Sequence, residues 1–177
     1  MNISKKTTRI AVGGVIAALY VVLTYAQEAI FPNSTSMAVQ FRLSEALTML
    51  CLFTPHAIPG LTVGCLLANV VSMGALPVDM IMGTFATFLA TLCIYKTRNI
   101  QFKGLPLLSA AMPAIFNGII IGLEIEIFFI EGPFNFVSFL TQAGLVALGE
   151  LVVLFTLGLL LAKTIKSKNF EKYLNNI

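Results

Sequence analysis

Six apolar runs separated by short polar breaks dominate this chain: Ile10–Ile30, Leu43–Phe53, Ala57–Val71, Val78–Tyr95, Leu105–Ile130 and Phe136–Ala162. An α-helix rises 1.5 Å per residue, so about 20 apolar residues cross a bilayer, and the longer runs read as transmembrane spans. Charged residues make up only 11% of the chain, against 58% hydrophobic. Soluble domains carry roughly 25% charged residues, so a water-soluble surface cannot be assembled from this inventory. The same arithmetic excludes disorder. Cys51, Cys65 and Cys93 are an odd, scattered trio and make no disulfide framework. The expected fold class is therefore an all-α integral membrane bundle of six transmembrane helices, one membrane domain over residues 1–177. Between the short second and third runs stands Thr54-Pro55-His56. Proline there disfavours helical continuation and predicts a tight helical hairpin.

The charges give the bundle a direction. Lys5, Lys6 and Arg9 precede the first run; Lys96, Arg98 and Lys103 lie between the fourth and fifth; Lys163, Lys166, Lys168 and Lys172 follow the sixth. With six spans these 10 of the 11 basic residues fall on one side. The positive-inside rule makes that side cytoplasmic, with both termini inside and residues 33–36 outside. Fusing the second and third runs would scatter the charges over both sides. The start of the chain also resembles a signal peptide, but its apolar run is long and no A-x-A site follows, so no cleavage is expected. The expected location is a cell membrane that the chain crosses several times.

No catalytic motif accompanies this layout. G-x-x-x-x-G-K-[ST], H-E-x-x-H, G-x-S-x-G and paired CxxC are all missing, and the lone His56 reads as a turn residue. The chain is expected to be no enzyme and to need no metal or cofactor. Small residues recur every fourth position: Gly60, Gly64, Ala68 and Ser72 in the third run, and Ala110, Ala114, Gly118 and Gly122 in the fifth. Such stripes let helices approach closely in lipid, and here they predict internal packing. Span one carries two such pairs, Gly13 with Ala17 and Gly14 with Ala18, near its basic end. They fit either internal packing or the docking of another membrane protein.

Carboxylates inside a membrane are costly and point to function. Six of them (Glu28, Glu45, Asp79, Glu124, Glu126 and Glu131) fall in the outer half, opposed there only by Arg42, a net of −5. Glu150 lies deeper, in the sixth run. Arg42 and Glu45, three apart, read either as a mutual ion pair at a helix start or as ligand contacts. Asn117 and Glu124 are seven apart and share a helix face. Asp79 suits the first turn of a helix or a ligand contact. Glu126 and Glu131 are expected to be solvated. Together these predict an outward-opening polar cavity lined by Asn69, Asn117, Glu124, Glu45 and Glu150. Its ligand would be cationic or rich in N–H donors. The aromatic stretch Glu131–Phe139 reads as an interfacial belt or as a lid.

Gln40-Phe41-Arg42-Leu43-Ser44-Glu45-Ala46-Leu47 is followed by Ala57-Ile58-Pro59-Gly60, Gly64-Cys65-Leu66-Leu67-Ala68-Asn69 and Asp79 to Gly83, then by Asn117-Gly118 and Gly149-Glu150. In this order they resemble the QueT family, the substrate-binding S components of energy-coupling factor (ECF) transporters for queuosine precursors. The resemblance runs from about Ile10 to Lys163. It implies a six-helix bundle that binds a 7-deazaguanine (preQ1, preQ0 or queuine) from outside. It also implies an energising module of one transmembrane coupling protein and two cytoplasmic ATPases, which agrees with the missing nucleotide loop. S components dock on the coupling protein through an A-x-x-x-A motif on the first helix; Gly14 to Ala18 is the nearest match, with Gly13 to Ala17 beside it. The guanine edge offers N1–H and an amine to one acceptor group, and a carboxylate meets both in a bidentate way. Glu124, Glu45 and Glu150 are the candidate readers, with Asn117, Asn69, Arg42 and Asp79 around them. An S component for another vitamin or cationic small molecule, or a proton-coupled secondary carrier using Glu150, remains open at this point.

Overall fold

The computed structural model describes residues 5–32, 34, 39–71, 76–168 and 170–175. Among them the regular structure is helical, apart from one bridge between Phe102 and Leu105. In chain order come α1 (Lys5–Ile30), a 3-10 helix (Leu43–Leu52), α2 (Ala57–Val71), α3 (Pro77–Thr97), α4 (Leu107–Phe129), α5 (Phe136–Ser167) and the short α6 (Glu171–Asn175). Helices α1, α3, α4 and α5 are long and apolar enough to cross a bilayer. The 3-10 helix and α2 are apolar but shorter, each about 20 Å at its own rise per residue against a hydrocarbon layer of about 30 Å. All six apolar runs are thus helices, four of them long. The breaks predicted at Asn33 and at residues 73–75, and Ser72 of the third-run stripe, lie outside the described residues.

Ile10, Ile81, Phe85, Ile119, Leu148 and Leu160 are among the many large apolar side chains that face outward. In water such a surface would aggregate; in a bilayer it meets a solvent as apolar as itself. Inside, large buried side chains such as Tyr20, Met49, Leu61 and Ile94 fill the core, while the seams between helices rest on small residues. Helices pack in sequence order, α1 on α2, α2 on α3, α3 on α4 and α4 on α5. A Cβ on Gly60 would come within 2.6 Å of the Gly13 carbonyl, and one on Gly64 within 3.0 Å of Ala17. Gly118 and Gly122 admit Ala143 of α5 as closely. The stripes of the third and fifth runs are therefore packing seams, as their spacing predicts. Gly13 and Ala17 belong to the same seam. Of the four positions expected to dock a partner, only Gly14 and Ala18 face outward; a Cβ on Gly14 meets nothing within 4 Å.

The 3-10 helix is the centre of the molecule. It touches α1, α2, α3, α4 and α5. Runs of this length in 3-10 form are uncommon, and they eclipse side chains at every third position. Arg42, Glu45, Thr48 and Cys51 accordingly stand in one line, all buried. The predicted hairpin turn follows at residues 53–56, where the Ala57 and Ile58 amides donate to the Thr54 and Pro55 carbonyls. Two further departures from regular α geometry are single π turns, Ile125–Phe129 ending α4 and Leu154–Gly158 within α5. At the basic end, α3 joins α4 through a tight turn whose Lys103 and Gly104 both have positive φ.

A buried carboxylate cluster as the candidate functional site

Tyr20, Thr24 and Gln27 follow one another at four- and three-residue spacing, which puts them on one face of α1. Gln27 fixes the chain that enters the 3-10 helix. Its Nε2 donates to the Ser34 hydroxyl and the Phe41 carbonyl, and its Oε1 accepts from the Leu43 amide at 2.7 Å. Thr24 donates to Ser44 at 2.9 Å. On the opposite side the entering segment presses on α5, where a Cβ on Gly149 would collide with the Gln40 carbonyl. Glycine at 149 is what lets residues 40–42 lie beside Glu150.

Arg42 and Glu45 are thereby held at the core, but their hydrogen bonds run to different partners. Arg42 Nη2 donates to Asn69 Oδ1 at 3.2 Å. Glu45 Oε1 accepts from the Tyr20 hydroxyl at 2.6 Å and lies 3.4 Å from Thr87 Oγ1. That Thr87 hydroxyl is also 3.3 Å from Cys65 Sγ, so its single hydrogen serves one acceptor at a time. Asn69 Nδ2 reaches the Asp79 carbonyl at 3.3 Å, and Gly83 leaves room for it. Asp79 itself accepts from the Leu76 amide at 2.6 Å and so secures the start of α3. Asn117 Nδ2 donates to Glu150 Oε1 at 3.1 Å.

Glu45 and Glu150 are wholly buried, and Glu124 is 2% exposed. The site is a closed polar cluster, where the sequence predicted a cavity open to the outside. Arg42 and Asp79 are the charged groups acting on Glu124, and Glu45 and Arg42 those acting on Glu150. Glu45 Oε2, both oxygens of Glu124, Glu150 Oε2, Asn117 Oδ1 and Arg42 Nε have no hydrogen-bond partner. A buried polar atom without a partner costs about 1–3 kcal/mol, more if charged. Several of them gather where the helices meet around the 3-10 helix. Among the described residues, no three His, Cys, Asp or Glu side chains group to hold a metal ion.

Glu126 is a correction. It was expected to be solvated, but it is buried on the π turn of α4, and its Oε1 accepts from the Asn135 amide at 2.8 Å. The extra residue in the π turn rotates the helix end, which hydropathy does not report. Glu131 is exposed, as expected. In the aromatic stretch, Phe139 packs between Phe134 and Phe136, with both of those exposed.

The QueT transporter family matches residues 10–167. The chain belongs to this family. It is also 31% identical over 156 residues, 85% of this chain and 88% of the relative, to a Lactococcus lactis subsp. cremoris (strain MG1363) protein named queuosine precursor transporter QueT. No solved structure matches significantly. The buried carboxylate cluster therefore sits in a multi-pass membrane protein of the QueT family. All five of the residues expected to line the cavity, Glu45, Glu124, Glu150, Asn69 and Asn117, are buried; sequence reasoning missed Tyr20 and Thr87, which contact Glu45, and Gln27, which fixes the chain entering the 3-10 helix. For Gln27, a polar amide in an apolar run was the available signal.

Proposed function

We propose that this chain is the substrate-binding S component of an ECF importer, capturing a 7-deazaguanine queuosine precursor (preQ1, preQ0 or queuine) from outside the cell. One observation carries the reading: four buried carboxylate oxygens of Glu45, Glu124 and Glu150 lack partners in a member of a queuosine-precursor transporter family. A guanine edge brings N–H donors in the pairing that a carboxylate accepts. Glu124, with both oxygens unpartnered, is the first candidate for that edge, and Asn117 is its neighbour two turns away on the same helix. A protonated amine on the ligand would meet Glu45 or Glu150. Asn69 and Arg42 flank the ligand, and Asp79 acts on it through Glu124.

In this reading the 3-10 helix and α2 complete six spans, and both termini are cytoplasmic, in keeping with 10 of 11 basic residues at one end. Energy comes from a transmembrane coupling protein and two cytoplasmic ATPases, with the outward pair Gly14 and Ala18 as the docking face. The test is thermal stabilisation of the purified protein by preQ1, preQ0 and queuine, beside guanine, thiamine and other vitamins. A ligand that binds only the native state adds about 2.7 kcal/mol at 100 times its dissociation constant. Stabilisation by deazaguanines alone is expected. Stabilisation by another vitamin would reassign the substrate, and uptake by vesicles holding this protein alone would make it a self-sufficient carrier.

A further inference from the structure

A second site lies at the basic end, away from the carboxylate cluster. There the α3–α4 turn, the end of the 3-10 helix, the last turns of α5 and α6 enclose a pocket of about 570 Å³, within the size range of small-molecule sites. Its walls have two characters. Leu52, Phe53 and Leu159 make an apolar side. Arg98, Lys163 and Lys166 supply three cations against the single carboxylate of Glu171. The Arg98 guanidinium is held in place, 3.7 Å from the centre of the Tyr95 ring and donating to the Tyr95 carbonyl at 3.1 Å. A cation stacked on an aromatic face in this way is preorganised for an anion.

From this geometry we infer that the pocket binds the phosphate of an anionic phospholipid, with the headgroup among Arg98, Lys163 and Lys166 and the acyl chains along the apolar wall. The charge excess selects a phosphate that carries net negative charge. The apolar wall selects a lipid over a free phosphate ester, because inorganic phosphate would leave the uncovered parts of the half-buried Leu52, Phe53 and Leu159 facing water. Phe102 and Leu160, next in the chain to the lining residues Gln101 and Leu159, are exposed large apolar side chains. Basic pockets between membrane helices recognise lipid headgroups by this combination.

The experiment uses the full purified chain in a neutral detergent. Its melting temperature is followed against dioctanoyl phosphatidylglycerol, dioctanoyl phosphatidylcholine, glycerol 3-phosphate and inorganic phosphate. Phosphatidylglycerol should raise the melting temperature saturably, and the other three should not at the same concentration. Lys163→Gln with Lys166→Gln, both exposed and so tolerated by the fold, should weaken the phosphatidylglycerol effect at least tenfold. Lys5→Gln, outside the pocket, should leave it unchanged. An equal effect of either phosphate would show a free-anion site and overturn the lipid assignment, as would an equal effect of phosphatidylcholine or indifference to the double substitution. If no additive acts and the double variant instead loses a protein partner, the pocket is a protein-docking surface and the proposal fails.

Discussion

At Glu45 one carboxylate oxygen is held and the other is open. The Tyr20 hydroxyl, 2.6 Å away, holds it, and Tyr20 is itself wholly buried. Tyr20→Phe keeps the ring and deletes only the donor. A hydrogen bond to a charged group contributes about 1.5–3 kcal/mol, so the variant should melt at a lower temperature and bind its precursor more weakly. An unchanged melt and affinity would show that the Tyr20 hydroxyl does not position Glu45. Residue identity was legible in the sequence where cost forced it: a glutamate in an apolar run has few uses. The supporting hydroxyls were not legible, because Tyr and Thr pass in an apolar helix without raising its polarity much. Glu126 was misjudged for a related reason. Its burial depends on the helix end around it and on the Asn135 amide, not on its place in the hydropathy profile.

At the scale of elements, run boundaries follow from hydropathy and Pro55, and the helices begin and end within about five residues of the apolar runs. The 3-10 form of Leu43–Leu52 does not follow from them. Ten residues of which seven are apolar fit either helix type, and it is enclosure by five neighbours that makes burial on all sides favourable. What brings this element to the site is the close approach at Gly149. Gly149→Ala should push residues 40–42 away from α5, costing about 1–3 kcal/mol as other overpacked cores do, and should weaken precursor binding with it; melts with and without preQ1 read both. The two pairs on α1 give a sharper contrast. Gly60→Leu would drive into the Gly13 backbone and should lower stability and binding together. Ala18→Leu faces outward and should leave ligand stabilisation intact while abolishing uptake and co-purification with the coupling protein, since such interfaces rest on van der Waals fit. An unstable, non-binding Ala18→Leu protein would place that residue in the internal seam instead.

For the molecule as a whole, the polar cluster and the basic end are separate. Two native cysteines, Cys51 and Cys65, are buried, so an impermeant thiol reagent on intact cells needs only Cys93→Ala as background. In it Glu131→Cys, exposed beyond the end of α4, should label and the exposed Lys168→Cys should not; labelling at residue 168 would invert the topology. Most direct for the central claim is a calorimetric titration of purified protein with preQ1, comparing the natural chain with Glu45→Gln, Glu124→Gln and Glu150→Gln, singly and together. Each amide keeps volume while removing charge and an acceptor, and losing one side of a buried charged contact costs about 2–5 kcal/mol. The account predicts one site per chain in the natural protein, weaker binding in at least one single variant, and no measurable heat in the triple variant, whose melt remains cooperative. Undiminished preQ1 binding by the triple variant would contradict it.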